Sequence, residues 1–456
     1  GGGDGTICRV TTLNDTGAGS LRGCIFSRGN SCSTPLSIIF TVGGKITLLS
    51  DINVQENQCK MTIDGSTAPS PGITIGKQPC ASGYTTCPPP GSACLDAGEF
   101  LIGQENHPLT SNIILTYLRF HGNYQSGWGY CDSDSSATLD AQYGFSDLVW
   151  DHLTVRNGSD GSPDMWSGLT QSHTVTLSNS IIAWSNHAQL ISSSHPDGSA
   201  SRDELSIFRN VYARCGQRMP LIVGKSTNID FRNNVVFDWS SDWTGHTGGD
   251  GTQIQPFSND GGATWLRPTI NIVNNYYIAG RNGTNHPNLG LFYGDRDGGD
   301  AVDGGPSGCT AQGQIVTNSH MGEMWTAGNI FPPANCDRFS TVSAERPIPA
   351  ADKVTTDSAA ALVTTVLPNV GVRFRTADED SLLSEIAAAM GCGNGSRASG
   401  ELCDGADLGG KKCQDLGYSG GTLSCTSLCT FDTRACTSSG QSVSRVSNLR
   451  PTDKLP

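Results

Sequence analysis

The sequence predicts an all-β chain, a right-handed parallel β-helix (a solenoid of stacked coils) followed by a small disulfide-rich C-terminal module. Three observations predict it. Short segments of alternating apolar residues recur along the chain, each followed by a polar corner that often holds asparagine. With 57 glycines in 456 residues and only 16% charged, the composition suits short strands and turns better than long surface helices. Six cysteines crowd into the stretch from Cys392 to Cys436, where apolar residues are few.

The repeat is the strongest of these. Asn112–Leu118, Asp147–Leu153, Thr174–Ser180, Leu205–Val211, Ile229–Val235 and Ile270–Tyr276 each read as an alternating strand, a corner and a second apolar strand. Taking Tyr117, His152, Asn179, Asn210, Asn234 and Asn275 as equivalent gives steps of 35, 27, 31, 24 and 41 residues. Periods in this range with strand-type alternation indicate β coils. A flat sandwich is the alternative, but its strands do not repeat their corner chemistry in this way. Asparagine suits the corner, because it tolerates left-handed dihedrals and its amide can bond to the next coil. Unequal steps place loops of different size at one corner, where function tends to reside.

Open coil ends need covers. Gly19–Ile25 reads as a short N-terminal capping helix. Asp380 to Met390 reads as an amphipathic helix with Asp380 as N-cap and Gly391 as its stop, and Asp357 to Val366 as a second helical patch. The Pro- and Cys-rich run from Cys80 to Cys94 reads as a stapled loop. The expected divisions are therefore a β-helix over 1–390, a cysteine module over 391–437 and a Ser-rich tail over 438–456. The module has too little core to stand without crosslinks, and its six cysteines allow about 15 pairings.

The 17 cysteines point to an oxidising compartment; only Cys425 and Cys429 approach a metal-type spacing. Eleven fall in the body, so one is expected to be free or to join two chains, which leaves self-association open. The start shows no basic-plus-apolar leader, so a secreted chain that has lost its signal peptide is expected. No apolar run approaches a membrane span. A net charge of −13 argues against nucleic acid as partner. Residues 391–456 carry seven Lys/Arg against six Asp/Glu, so the body carries −14, and its acids are concentrated where a divalent metal would bind.

Val149-Trp150-Asp151-His152, Ser178-Asn179-Ser180-Ile181-Ile182, Asn210-Val211-Tyr212-Ala213 with Arg218-Met219-Pro220, Asn233–Trp239 and Ile272–Tyr277 follow one another in the order of the pectate lyase superfamily. The late stretch from Ser358 to Gly371 and the helix after Asp380 are similar to its C-terminal pattern. Residues 10–390 thus resemble the pectate-lyase-like branch of polysaccharide lyase family 1. The resemblance implies β-elimination of a uronic-acid-containing polysaccharide, with Arg218 as base and Ca²⁺ neutralising the uronate carboxylate. Arginine, whose pKa lies above about 12, is a base only in a positive field that favours its neutral form. The alternative role for Arg218 is to bond corner carbonyls or a neighbouring carboxylate.

Candidate calcium ligands are Asp140, Asp160 and Asp164, with Asp134 a poorer one and Asp151 read as structural. The family's substrate-binding lysine aligns with His187, which would bind the carboxylate or act as acid or base near neutral pH, the alternative being a structural corner histidine. Its second arginine aligns with Val223, a gap that Lys225 would fill, the alternative being a solvated lysine. Arg214 and His152 complete the candidate substrate-binding residues, His152 being equally a corner residue. These departures keep a second reading open: a non-catalytic β-helix adhesin or assembly protein that has lost the lyase site. A third is a glycoside hydrolase, which would need Asp151 and Asp164 to face one another. The C-terminal unit is similar to cysteine-rich modules of secreted bacterial proteins, with Asp404 and Asp407 as solvated acids or a further Ca²⁺ site.

Overall fold

The computed structural model describes residues 3, 5–29, 31–80, 92, 94, 97–104, 107–124, 138–167, 173–193, 203–224, 226, 228–239, 251–255, 266–280, 291–293, 322–332, 342–348 and 354–438. The chain forms two compact units, Gly1–Arg346 with Asn369–Arg375, and Pro347–Pro368 with Thr376–Pro456.

The first unit is the β-helix. Three parallel sheets wrap one core, and successive coils add one strand to each. Among the described residues, sheet A has ten strands, from Thr6–Val10 to Glu323–Ala327, sheet B eight, from Gly44–Leu48 to Tyr276–Ile278, and sheet C eight, from Ile52–Val54 to Leu291–Tyr293. One coil runs Phe145–Asp151 in A, Thr154–Arg156 in B and Asp164–Ser167 in C before returning to A at His173–Ser178. Alternation turns every second side chain inward, where like positions stack. Ile38, Ile63, Leu115, Trp150, Leu177, Ile207, Phe231 and Ile272 form one such column, each 0% exposed. The helix Leu21–Ile25 covers the N-terminal coil, with Ser20 Oγ accepting from Gly23 N at 3.0 Å. No helix among the described residues is long and apolar enough to cross a membrane.

The corner between sheets A and B corrects the repeat register. Pairing aligns Tyr117, His152 and Asn179 with Arg209, Asn233 and Asn274, not with Asn210, Asn234 and Asn275. All six of the paired residues have positive φ, from 49° to 57°. The following position is a separate ladder of Asn210, Asn234, Asn275 and Asn329. In it Asn234 Oδ1 accepts from Asn210 N at 2.9 Å, and Asn234 Nδ2 donates to Ile207 O at 3.0 Å. Asparagine serves both positions for different reasons, one conformational and one for its amide, so the spacing alone slipped by one residue. Asn234→Ala strands the buried Asn210 N–H and Ile207 carbonyl, so the β-helix transition in a urea titration should lose about 3 kcal/mol; a loss under about 0.5 kcal/mol would show the ladder to be dispensable.

A returning segment, Asn369–Arg375, lies across coils of this unit. Gly371 N donates to Asn179 O at 2.8 Å and Val372 N to Thr154 Oγ1 at 3.4 Å. Phe374 O accepts from Arg119 Nη2 at 3.0 Å, and Arg373 Nη1 donates to Ser66 O at 3.3 Å. Gly371 sits at φ +78°, a conformation that L side chains rarely adopt, and a Cβ there would stand 2.7 Å from Ile181 Cδ1.

In the second unit the helix spans Ala377–Ala389. It begins earlier than the Asp380 cap expected from sequence, because Thr376 and Glu379 form a capping box, Thr376 N donating to Glu379 Oε2 at 2.9 Å. The second helical patch is a 3₁₀ turn at Ala359–Ala361 leading into Leu362–Thr365. The module closes through Cys392–Cys429, Cys403–Cys425 and Cys413–Cys436, so the metal-type pair is spent in disulfides. Asp404 is fully buried rather than solvated, its carboxylate accepting from the backbone N–H groups of Gly393, Asn394 and Gly395. Elsewhere the described disulfides are Cys8–Cys24, Cys32–Cys59 and Cys80–Cys94; the loop expected between Cys80 and Cys94 lies almost entirely outside the described residues. Cys215 is free and fully buried, so it is not placed to bridge two chains.

Candidate active site

Outward positions of sheet C carry the acids. Asp140 and Asp164 are direct partners in adjacent strands, and Asp164 N donates to Asp140 Oδ1 at 3.2 Å. Leu190 N on the next strand donates to Asp164 Oδ1 at 2.6 Å, and Gln142 Nε2 to Asp140 Oδ2 at 2.9 Å. On the preceding coil Glu99, just before Phe100–Ile102, shares a side-chain hydrogen bond with Asp140. Asp140 is 3% and Glu99 8% exposed.

The corner from sheet B to sheet C supplies the cations. Its first position is left-handed in each coil: Asn157 at φ 59°, Trp184 at 56°, Arg214 at 54° and Asp238 at 56°. Three residues past Asn157 lies Asp160, three past Trp184 lies His187, and four past Arg214 lies Arg218. Coil stacking converts those separations into contact. Asp160 Oδ1 accepts from Gly161 N at 2.8 Å and from Arg218 Nη1 at 3.3 Å, and lies 2.8 Å from His187 Nδ1. His187 is 1% exposed, and its Nε2 meets Gln217 Nε2 at 2.9 Å, so both ring nitrogens are engaged. The Arg218 side chain is 22% exposed, its backbone left-handed at φ 63°, and its Nε is buried without a partner. Arg214 Nε lies 3.8 Å from Asp238 Oδ2.

The electrostatics divide the acids. Burial raises Glu99 against the opposing effects of its Asp140 hydrogen bond and the Lys77 charge, and burial with the charges of Glu99 and Asp164 puts Asp140 well above the carboxylate range. Burial, then the charge of Asp160, lifts Asp164 to about 8. Asp160 goes the other way: burial works against ionisation, but the His187 hydrogen bond and the charges of His187 and Arg218 hold it at about 2. Stacked, buried hard oxygens with a carboxylate oxygen of Glu99 left unpartnered fit a hard divalent cation.

Of the residues singled out from sequence, Asp140, Asp160, Asp164, His187, Arg214 and Arg218 lie on sheet C or the corner leading into it. His152 does not join them. It sits at the A–B corner, stacked on Tyr117 with ring centroids 4.5 Å apart and its Nδ1 2.7 Å from Asp151 Oδ2. Asp151 accepts there from Ser178 Oγ and Asn179 Nδ2, a structural role, and does not face Asp164 on sheet C. Lys225 and Asp134 lie outside the described residues. Glu99 and Gln217 were missed; Glu99 is an acid just before an apolar strand, and only the coil stacking brings it to Asp140.

Fold and site together define a parallel β-helix with a carboxylate column on one sheet and an arginine at its edge. No family model matches the chain. Over 282 residues, 61% of this chain, it is 28% identical to the probable pectate lyase C of Aspergillus oryzae, and the match spans about half (51%) of that protein. It is 28% identical over 317 residues to the probable pectate lyase C of Emericella nidulans, covering 66% of this chain and 62% of that protein. Jun a 1, the major allergen from cedar pollen, superimposes with a TM-score of 0.53 over 82% of this chain and 90% of its own, at 17% identity, which shows the shared fold. These curated relatives are fungal and lend no support to the bacterial setting expected for the module.

Proposed function

We propose that the chain is a polysaccharide lyase that cleaves a uronic-acid-containing polysaccharide by β-elimination, exported to an oxidising compartment. The observation that carries this reading is Arg218 held by Asp160 at the edge of the Asp140–Asp164 column, in a chain similar to pectate lyases. Arg218 takes the proton from C5, the C5–H electron pair becomes the C4–C5 double bond, and the C4–O bond breaks with its pair leaving on the glycosidic oxygen, which takes up a proton from solvent. Asp140, Asp160 and Asp164 would hold a Ca²⁺, and that ion would supply positive charge beside the uronate carboxylate and the guanidine. Asp160 fixes Arg218, and His187, fully engaged, positions Asp160 rather than touching the sugar. Arg214, partly exposed on the same corner, is the candidate for binding a neighbouring uronate.

Incubation with polygalacturonate, alginate and glucuronan, with and without Ca²⁺, tests this through the ultraviolet absorbance of the unsaturated product. A Ca²⁺-dependent rise on one polyuronate is expected; no rise on any of them sinks the reading. The second reading, a binding protein without turnover, is favoured by the closed Arg218–Asp160–His187–Gln217 network and by Val223 on the outer face of sheet C. It predicts retention on a polygalacturonate column with no product.

A further inference from the structure

We infer that Glu99 is a fourth carboxylate of the divalent-cation site, so that this chain holds its cation between Glu99 and Asp140 before any sugar arrives. The inference rests on the cation reading above and extends it by one coil. Glu99 is 8% exposed, and its Oε1 has no hydrogen-bond partner. Its carboxyl group meets that of Asp140, itself 3% exposed. Two carboxylates in contact need a positive bridge, either a shared proton or a metal ion.

The positions of the fixed charges favour a metal. Lys77, 1% exposed, acts on Glu99 at one end of the column. Arg218 stands 3.3 Å from Asp160 at the other. Asp140, between them, has only the amide of Gln142 and the Asp164 N–H as neutral donors. The uncompensated charge therefore sits on Asp140, beside the unpartnered Glu99 Oε1.

The donor set suits calcium, which takes several carboxylate and carbonyl oxygens in a flexible geometry, whereas Mg²⁺ demands a near-ideal octahedron and usually keeps several waters. Oxygen-only donors from backbone-fixed strands are the ligand type a hard cation takes.

The test is calorimetric titration of Ca²⁺ into the full chain without polysaccharide, with terbium emission sensitised by Trp166, two residues from Asp164, as a local second readout. The wild type should bind one Ca²⁺, and Glu99→Gln should weaken that binding by about tenfold or more. Glu99→Asp, which keeps the charge on a shorter arm, should fall between them and carries the test if Glu99→Gln does not fold. Unchanged affinity in both variants, with binding lost in Asp164→Asn, overturns the role of Glu99 and leaves the three-aspartate site standing. Ca²⁺ binding by no variant, with or without oligogalacturonate, overturns the underlying cation reading itself.

Discussion

Arg218→Ala is expected to slow formation of the unsaturated product from polygalacturonate by about 10²- to 10⁴-fold, the usual contribution of a positioned proton acceptor. KM should move far less, since Arg214 and the acid column remain. Stability should barely change. The Arg218–Asp160 pair is partly exposed, with side chains 22% and 28% accessible, and such pairs contribute little. Asp160 also keeps its His187 and Gly161 partners. Arg218→Lys separates charge from shape, because a lysine keeps the cation but loses the planar fork. A product rise undiminished in Arg218→Ala would end the proposed mechanism, and a large drop in unfolding temperature would recast Arg218 as a structural corner residue.

The second large effect is a pH dependence that metal should reverse. In the cation-free chain Asp164 is held up to about 8 by burial and by the charge of Asp160. In the unfolded chain it titrates near about 3.9. Between those values the folded state binds a proton that the unfolded state has released, so stability falls as pH rises through the window and the full penalty is present above about 8. Glu99 and Asp140, also raised, add in the same direction. In EDTA, the unfolding temperature should therefore fall steadily from about pH 5 to about pH 9, and saturating Ca²⁺ should restore it most at the alkaline end. Asp164→Asn should flatten the profile. Asp160, held at about 2, has the opposite sign: its stabilisation is present above the unfolded value and lost only as pH falls toward 2. A profile in EDTA that does not fall with rising pH would show that the column is not the buried acid cluster described.

The fold was legible because a coil writes its core into every strand. Ile113 and Leu115, Leu148 and Trp150, Val175 and Leu177 alternate inward in the sequence as they do in the stack. Register was less legible. Both Asn233 and Asn234 fit a corner, and only pairing separates the left-handed residue from the ladder residue. The site was legible in part for a related reason. Asp160, His187 and Arg218 occupy comparable places after their strands, so a reader who places the corners also finds them. Glu99 has no such mark, being 41 residues from Asp140, and nothing in the local pattern sets it apart from Asp96 three residues earlier. Proximity across coils depends on loop lengths, which the alternation does not encode.

The segment Asn369–Arg375 changes what a solenoid of this kind can do while it is being made. A plain stack of coils touches only nearest neighbours, so it can fold one turn at a time as the chain leaves the ribosome. Here Arg119 waits for Phe374, 255 positions later, and Ser66 for Arg373, 307 positions later. The early coils are therefore synthesised long before the cross-piece that binds them exists. Their last increment of rigidity arrives only after residue 375 has been made, and a chain cut short before residue 369 should loosen at coils far upstream of the cut.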